Sequence, residues 1–357
     1  MHVGLATECL NRARTGVEAA TQMLLAGLAA SGNRITCFHT PGALHPRPQG
    51  VNHVLFRRPL PIPFYHRFAS VFHHSCFDGL DVLHVPHPQL PYLRRPKPPV
   101  VMTVFDISPV LFPQFHNLKR VVFFKHVLPY YLRGVDAIIA SSAATKQDLV
   151  RRMGVPAEKI TVVPLAVDVP KAVPSGRREQ FILYVGTLEP RKNIQGLVRA
   201  FALLKAQGYP HKLMLAGKKG WGYAPVFALV RKLGLERDVV YRGYVSEDEK
   251  RRLLRTAELF VYPSFYEGFG IPVLEAMAHG TPVVASNTSS LPEVAGGAAI
   301  LVDPARPDRI AQGMIEVLSS SRVWTSMQRK GFIQARRFTL KNMTDRTLRV
   351  YELVVRA

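Results

Sequence analysis

Cysteine is scarce and unpatterned. The 357 residues hold three, Cys9, Cys37 and Cys76, with no C-x-x-C pair, so neither a disulfide framework nor a thiolate zinc site is expected. Long apolar runs are missing too. No stretch approaches the roughly eighteen apolar residues of a membrane span, and the nearest in character, Val121–Leu132, is broken by Lys125, His126 and Pro129. The N-terminal MHVGLATECLNRAR has no basic start leading into an apolar segment, so no secretory signal is expected and the chain reads as cytoplasmic. Acidic residues are also in short supply: 25 Asp and Glu against 47 Lys and Arg leave a formal charge of +22. That imbalance favours an anionic partner, which could be nucleic acid, an anionic membrane or a phosphate-bearing substrate. Zinc-finger spacing, an RNA-binding aromatic signature and a helix-turn-helix are all missing, so nucleic acid is not expected. Repeats and low-complexity segments are absent. With 47% apolar and 20% charged residues the chain is globular, and its length suits two domains.

Short apolar runs alternate with helical patterns almost throughout. Strands are predicted at 2–6, 34–39, 82–85, 100–105, 136–140 and 160–163. Val17, Ala20, Leu24 and Leu28 fall on one face of a helix that Gly32 ends. The proline-bearing, aperiodic stretch Val163–Gln180 reads as a linker. A second series follows at 181–185, 212–216, 239–242, 259–262, 282–285 and 299–302. Strands alternating with helices mean parallel sheets, and two such series mean two doubly wound α/β domains whose ligands bind beyond the strand C-terminal ends. The stretch Phe56–Phe77, mixing prolines, arginines and aromatics, reads as an irregular excursion from the first domain. Together with the net charge, it suggests docking on anionic lipid.

The second half carries the chemistry. Gly186-Thr-Leu-Glu-Pro-Arg-Lys-Asn193 follows a predicted strand and opens a helix, a turn that aims backbone amides and the helix dipole at an anion. Arg191 and Lys192 add a fork-shaped and a point cation there, which outlines a diphosphate site. In FYEGFGIPVLEAMAHGTP, Glu267 and Glu275 are separated by seven residues. Gly268 and Gly270 allow close backbone approach to a ligand, and Pro272 suits the first turn of a helix that carries Glu275 about one turn in. Two carboxylates able to accept from vicinal sugar hydroxyls, flanking a phosphate-binding point, suit a nucleotide-sugar.

These segments resemble the signatures of retaining glycosyltransferases of family 4, which have two Rossmann-like domains facing a central cleft. The likeness rests on Glu267–Ala278, Gly186–Asn193, Leu291–Gly296 and Leu301–Pro304, strongly over 181–305 and more loosely before that. It implies an acceptor-binding domain over 1–168, a nucleotide-sugar-binding domain over 169–337 and a last helix, 338–357, crossing back to the first domain. It also implies that Arg191 and Lys192 hold the donor diphosphate and stabilise the leaving group. Glu267, with the amides around Gly268, Phe269 and Gly270, would contact the transferred sugar. Glu275 would bind the donor ribose, Val245 the base, and Gly186 and Gly16 the donor from their loops. No metal is implied, because an Asp-x-Asp pair is missing and the two cations can neutralise the diphosphate. No cofactor is implied beyond the donor itself.

Relatives read T-x-H-D at the end of the fourth predicted strand, where this chain has Phe105 followed by Asp106, itself expected with His84 and His87 to face the acceptor or the sugar. His84 or His87, at the neighbouring strand end, is expected to take over the lost imidazole's contact, His84 foremost. The resemblance thus implies a retaining hexosyltransferase forming an α-linkage, with GDP-mannose as donor and a UDP-hexose as the alternative. The acceptor is expected to be a glycan or lipid-linked oligosaccharide of O-antigen, capsule or exopolysaccharide assembly, met at the inner face of the plasma membrane. The contrasting reading is a non-catalytic nucleotide-sugar-binding subunit, favoured only by Phe105.

Overall fold

The computed structural model describes residues 1–7, 16–39, 50–55, 74–88, 95–173 and 178–356; most of the Phe56–Phe77 excursion lies outside them. The chain divides into two compact units, Met1–Ala166 together with Thr339–Ala357, and Val167–Phe338. Each unit is built around one parallel sheet.

The first sheet has seven strands: β1 (His2–Ala6), β2 (Arg34–His39), β3 (Val51–Leu55), β4 (Val82–Val85), β5 (Val100–Val104), β6 (Ala137–Ala140) and β7 (Ile160–Val162). Their order is β3-β2-β1-β4-β5-β6-β7. The edge strand β3 is not foreseen in the sequence, where VNHVL lacks a clear period. Helix Gly16–Ala29 buries Ala20, Leu24 and Leu28 as the spacing predicts, and Gly32 at φ +74° follows it. Between β5 and β6 the chain runs through a helical stretch whose Phe124, Leu128 and Leu132 pack with Val100, Met102 and Ile138 of the sheet. The last helix, Leu340–Arg356, packs on this same unit against helix Gly16–Ala29. Its buried face is Met343, Thr344, Thr347, Val350 and Tyr351, whereas Leu353 is 68% exposed.

The second sheet has six strands: β8 (Glu179–Val185), β9 (Lys212–Ala216), β10 (Val239–Gly243), β11 (Ala257–Tyr262), β12 (Val283–Ser286) and β13 (Ile300–Val302). Their order, β10-β9-β8-β11-β12-β13, reverses direction between β8 and β11. The loops leaving the C-terminal ends of those two neighbours are therefore thrown to opposite sides, which opens the position where doubly wound sheets take their ligands. Part of the predicted linker is tied down. Val163, Leu165, Ala166 and Val167 are buried, and Arg178 donates to the carbonyls of Arg255 (2.5 Å) and Gly280 (2.8 Å), closing off two helix ends.

Candidate active site

The loop after β8 is rigid for local reasons. Pro190–Lys192 form a single tight turn rather than the first turn of the helix itself. Asn193 then takes the left-handed conformation at φ 56°, ψ 39°, which Asn tolerates better than most residues. Its side-chain Oδ1 caps helix Ile194–Ala206 by accepting from the Gly196 amide at 3.2 Å. Its side-chain Nδ2 donates to the carbonyls of Pro263 (3.1 Å) and Pro304 (2.6 Å). The loop after β11 is bonded back to this one, with the Phe265 amide donating to the Arg191 carbonyl at 2.9 Å. Gly217, at φ 144°, lies so close that a Cβ there would run into the Gly186 backbone.

Fixed in this way, Arg191, Lys192 and Glu267 meet. Lys192 Nζ lies 2.6 Å from Glu267 Oε1 and donates to the Tyr262 hydroxyl at 2.9 Å. Arg191 Nη1 reaches Glu267 Oε2 at 3.2 Å and the Tyr266 carbonyl at 2.6 Å, while Nη2 reaches Glu189 at 2.8 Å. The Glu267 and Lys192 side chains are only 8% and 12% exposed, so water screens their attraction little. Burial by itself would push the Glu267 carboxyl up, but Lys192 and Arg191 outweigh it and hold the group at about 2. Burial and the neighbouring Arg191 charge lower Lys192, against the pull of Glu267. Tyr184 and Tyr262 stack beneath, ring centroids 5.8 Å apart, with the Lys192 ammonium 5.3 Å from the Tyr262 ring centre. The Glu267 backbone is pinned on both sides: its amide donates to Ser289 Oγ at 2.9 Å, and Ser290 Oγ donates to its carbonyl at 2.9 Å. The result is a nearly dry, electrically balanced cluster with its cations already oriented, which is the condition for stabilising charge that develops during a reaction.

Glu275 occupies the place its spacing predicts, on helix Ile271–Ala278, which Gly270 at φ 105° precedes and Pro272 opens. A Cβ at Gly270 would meet the Leu291 side chain, so the close approach at this turn needs glycine. The Glu275 partner was not foreseen: Lys250 Nζ contacts Oε1 at 2.7 Å and also Glu247 at 2.9 Å. Burial raises the Glu275 carboxyl, with Lys250 opposing. Burial alone would lower Lys250, but Glu275 and Glu247 more than compensate and raise it. Tyr262, Ser289 and Ser290 were likewise missed, because a strand tyrosine and a serine pair carry no signal of their own.

The remaining expected residues are dispersed. Gly186 follows β8, its amide bonded to Ala216 O at 2.9 Å. Phe269 is buried edge-on against Phe338, beside Gly268. Val245 is half-buried in the turn after β10, next to Tyr244, which is 56% exposed beneath the Lys218 ammonium. Gly16 opens its helix in an exposed position, following residues outside the described set. Asp106 accepts from the amide and hydroxyl of Ser108 at 2.9 and 2.7 Å and so supports a short helix start. His87 is half-buried just beyond β4.

His84 requires a correction. It is fully buried, with Nδ1 at 2.5 Å from the Tyr351 hydroxyl and Nε2 at 2.8 Å from Thr103 Oγ1. Desolvation lowers its pKa to about 3. Both ring nitrogens serve the scaffold, linking β4, β5 and the last helix. Phe105 lines a small cavity beside His84, and its carbonyl accepts from Ser141 (2.7 Å) and Thr145 (3.0 Å). His84 therefore does not supply the missing imidazole.

Residues 169–336 match the model of glycosyl transferases group 1, and residues 14–171 that of Glycosyltransferase Family 4. The chain belongs to these glycosyltransferases. It is 35% identical to the O-antigen chain mannosyltransferase B of Escherichia coli over 76% of this chain and 74% of that one. It is 30% identical to a serotype-specific mannosyltransferase, WbdA, also from Escherichia coli, over 58% of this chain but only 27% of that longer protein. Among solved structures, sucrose-phosphate synthase from Thermosynechococcus elongatus superposes with a TM-score of 0.80 at 20% identity, covering 99% of this chain and 98% of the other. The fold is thus the two-domain, Rossmann-like B type, and this glycosyltransferase carries its cation cluster on the second of the two domains.

Proposed function

We propose that this glycosyltransferase moves a mannosyl group from GDP-mannose to a hydroxyl of a glycan or lipid-linked acceptor, with retention and an α-linkage. The observation that carries the reading is the pair Arg191 and Lys192, both locked on Glu267 at 3.2 and 2.6 Å in a nearly dry site. In the reaction the bond between the anomeric carbon and the phosphate oxygen breaks, and negative charge grows on the leaving diphosphate. Two oriented cations stabilise that charge without waiting for solvent to reorganise. The acceptor oxygen bonds to the anomeric carbon on the same face, and its proton passes to the departing phosphate. Glu267, ionised well below neutral pH, is no proton donor. Its part is to hold both cations and accept from hydroxyls of the sugar. Glu275 accepts from the donor ribose, and Val245 borders the base. The mannosyl assignment is supported by the names borne by the relatives in sequence.

The test is transfer and donor hydrolysis with a panel of GDP- and UDP-hexoses, run with and without excess EDTA. GDP-mannose should be preferred, activity should persist in EDTA, and Glu275→Ala should weaken GDP binding. A preference for a UDP-hexose overturns the donor. Loss in EDTA restored by Mn²⁺ overturns the role of the cations as the sole counter-charge. Absence of any turnover with GDP bound points to the non-catalytic reading.

A further inference from the structure

Taking the transferase reading proposed above, we infer that Lys219 is a positioning residue for the two reaction cations. It fastens the strip 217–222, which backs Arg191 and Lys192, through a cage of aromatic rings. Lys219 lies in the loop that leaves β9. Although the residue is exposed, its ammonium sits 5.0 Å from the ring centre of Tyr223, 5.3 Å from that of Phe227 and 5.4 Å from that of Tyr241. Tyr223 immediately precedes helix Ala224–Lys232, Phe227 is on that helix, and Tyr241 is on β10. The rings brace one another edge to face, Tyr223 to Phe227 at 6.1 Å and Phe227 to Tyr241 at 5.3 Å, so the cage has a fixed shape. The Tyr241 hydroxyl also donates to the Gly217 carbonyl at 3.0 Å. Lys218, the preceding residue, reaches instead to the ring of Tyr244 at 4.8 Å. Successive side chains of an extended strip point to opposite sides, so the two lysines fasten it on both flanks.

The strip serves the site through its backbone. It prolongs the pairing of β8 with β9 past the strand ends: the Leu188 amide donates to the Lys218 carbonyl at 2.9 Å, and the Gly220 amide to the Leu188 carbonyl at 3.0 Å. Contact stays close as far as the cation turn, since a Cβ at Gly222 would lie 2.9 Å from the Pro190 ring, one residue before Arg191. The loop carrying Arg191 and Lys192 is thus held on one side by this strip. On the other it is held by the loop after β11, through the Phe265 amide. Freeing the strip removes one of the two walls that orient the cations. An oriented charge stabilises a leaving group because it need not reorganise during the reaction, so looseness here costs rate. Donor binding counts contacts made before the bond breaks and changes less. A lysine stem that merely covered apolar surface would show the same contacts with no consequence for turnover.

The test uses a reporter already in the strip. The chain has two tryptophans, and Trp221, 52% exposed, is one of them. In a Trp324→Phe background its fluorescence anisotropy reads the strip without any turnover. Lys219→Met keeps the stem and removes the charge, and it should lower the anisotropy. Lys219→Arg, whose guanidinium also lies on aromatic faces, should keep the parent value. With whichever nucleotide-sugar the donor panel selects, Lys219→Met should lower kcat about fivefold, the worth of a cation–ring contact at an exposed site, and leave donor KM within about twofold. Lys219→Arg should turn over like the parent. Phe227→Leu should match Lys219→Met, and the double variant should be no slower than either single one, because both break the same cage. Each variant is assayed well below its own melting temperature, so that loss of folded protein does not pass for loss of rate. Unchanged anisotropy in Lys219→Met overturns the cage as the anchor of the strip. Lowered anisotropy with unchanged kcat, additive losses in the double variant, or Lys219→Arg as slow as Lys219→Met overturns the positioning role. A parent that turns over no nucleotide-sugar sinks the transferase reading and the rate effect with it, while the anisotropy still decides the cage.

Discussion

The cation cluster makes a prediction whose size depends on whether one partner is removed or both. Lys192→Met leaves Glu267 buried with Arg191 as its remaining cation, and Glu267→Gln leaves the Lys192 ammonium buried without the carboxylate charge beside it. Stranding one member of a buried pair costs about 3–5 kcal/mol. The carboxyl held at about 2 instead of its ordinary 4.5 gives an independent figure of about 3 kcal/mol at neutral pH. The double variant strands neither partner, and Arg191 keeps Glu189 at 2.8 Å. Its cost should therefore fall short of the sum of the single variants by about 2–3 kcal/mol, the coupling expected of side chains in direct contact.

Urea denaturation of the parent, both single variants and the double variant measures this cycle, and transfer from GDP-mannose measured alongside reports the chemistry. Each single variant should lose about 10²–10³ in kcat, as when one oriented donor is removed from a charge-stabilising site, and the double should be little worse. Acid adds a check. The folded pKa lies below the unfolded one, so this stability is present above about pH 4.5 and is lost as the pH falls toward 2. Glu267→Gln should flatten that limb. Stability costs that add within about 0.5 kcal/mol refute the coupled cluster. A double variant that regains stability together with activity refutes the catalytic role.

Legibility in the sequence followed the range of the interactions. The strands of both sheets and the turn residues Asn193, Gly270 and Pro272 are determined by local pattern, and the structure places them where the pattern puts them, with only β3 unforeseen. The approach of Arg191 and Lys192 to Glu267 was readable only in outline, since it depends on β8 and β11 being neighbours although 71 positions separate their ends at Val185 and Ala257 in the chain. His84 was misread for the same reason. Its ring is engaged by Tyr351, 267 residues away, and nothing near position 84 announces that contact. Lys250 stands in an acidic helix start, Glu247-Asp248-Glu249, where a local salt bridge explains it fully; the second partner, Glu275, arrives from another helix.

Two further predictions rest on single groups. His84 is buried neutral with a pKa of about 3, below the 6.5 of the unfolded chain, so acid protonates the unfolded state first. Stability should fall by about 1.4 kcal/mol per pH unit as the pH drops below about 6.5, and a His84→Gln variant that shows the same acid slope by urea denaturation would contradict this. The last concerns Lys250, which we place as a positioning residue for Glu275. Glu275 is already raised by burial, and the Lys250 charge is the largest influence holding it down. Lys250→Met should therefore move the carboxyl further up and let it protonate at a higher pH. A protonated acid is a poorer acceptor for ribose hydroxyls, so the donor KM should rise about tenfold, the worth of a charged hydrogen bond, with kcat little changed. The rise in KM toward acid should begin at higher pH than in the parent, and Lys250→Arg should restore much of the parent profile. A loss of packing alone would raise KM equally at every pH. A pH-independent increase in Lys250→Met, or none, would show that Lys250 supports the helix without tuning the carboxylate.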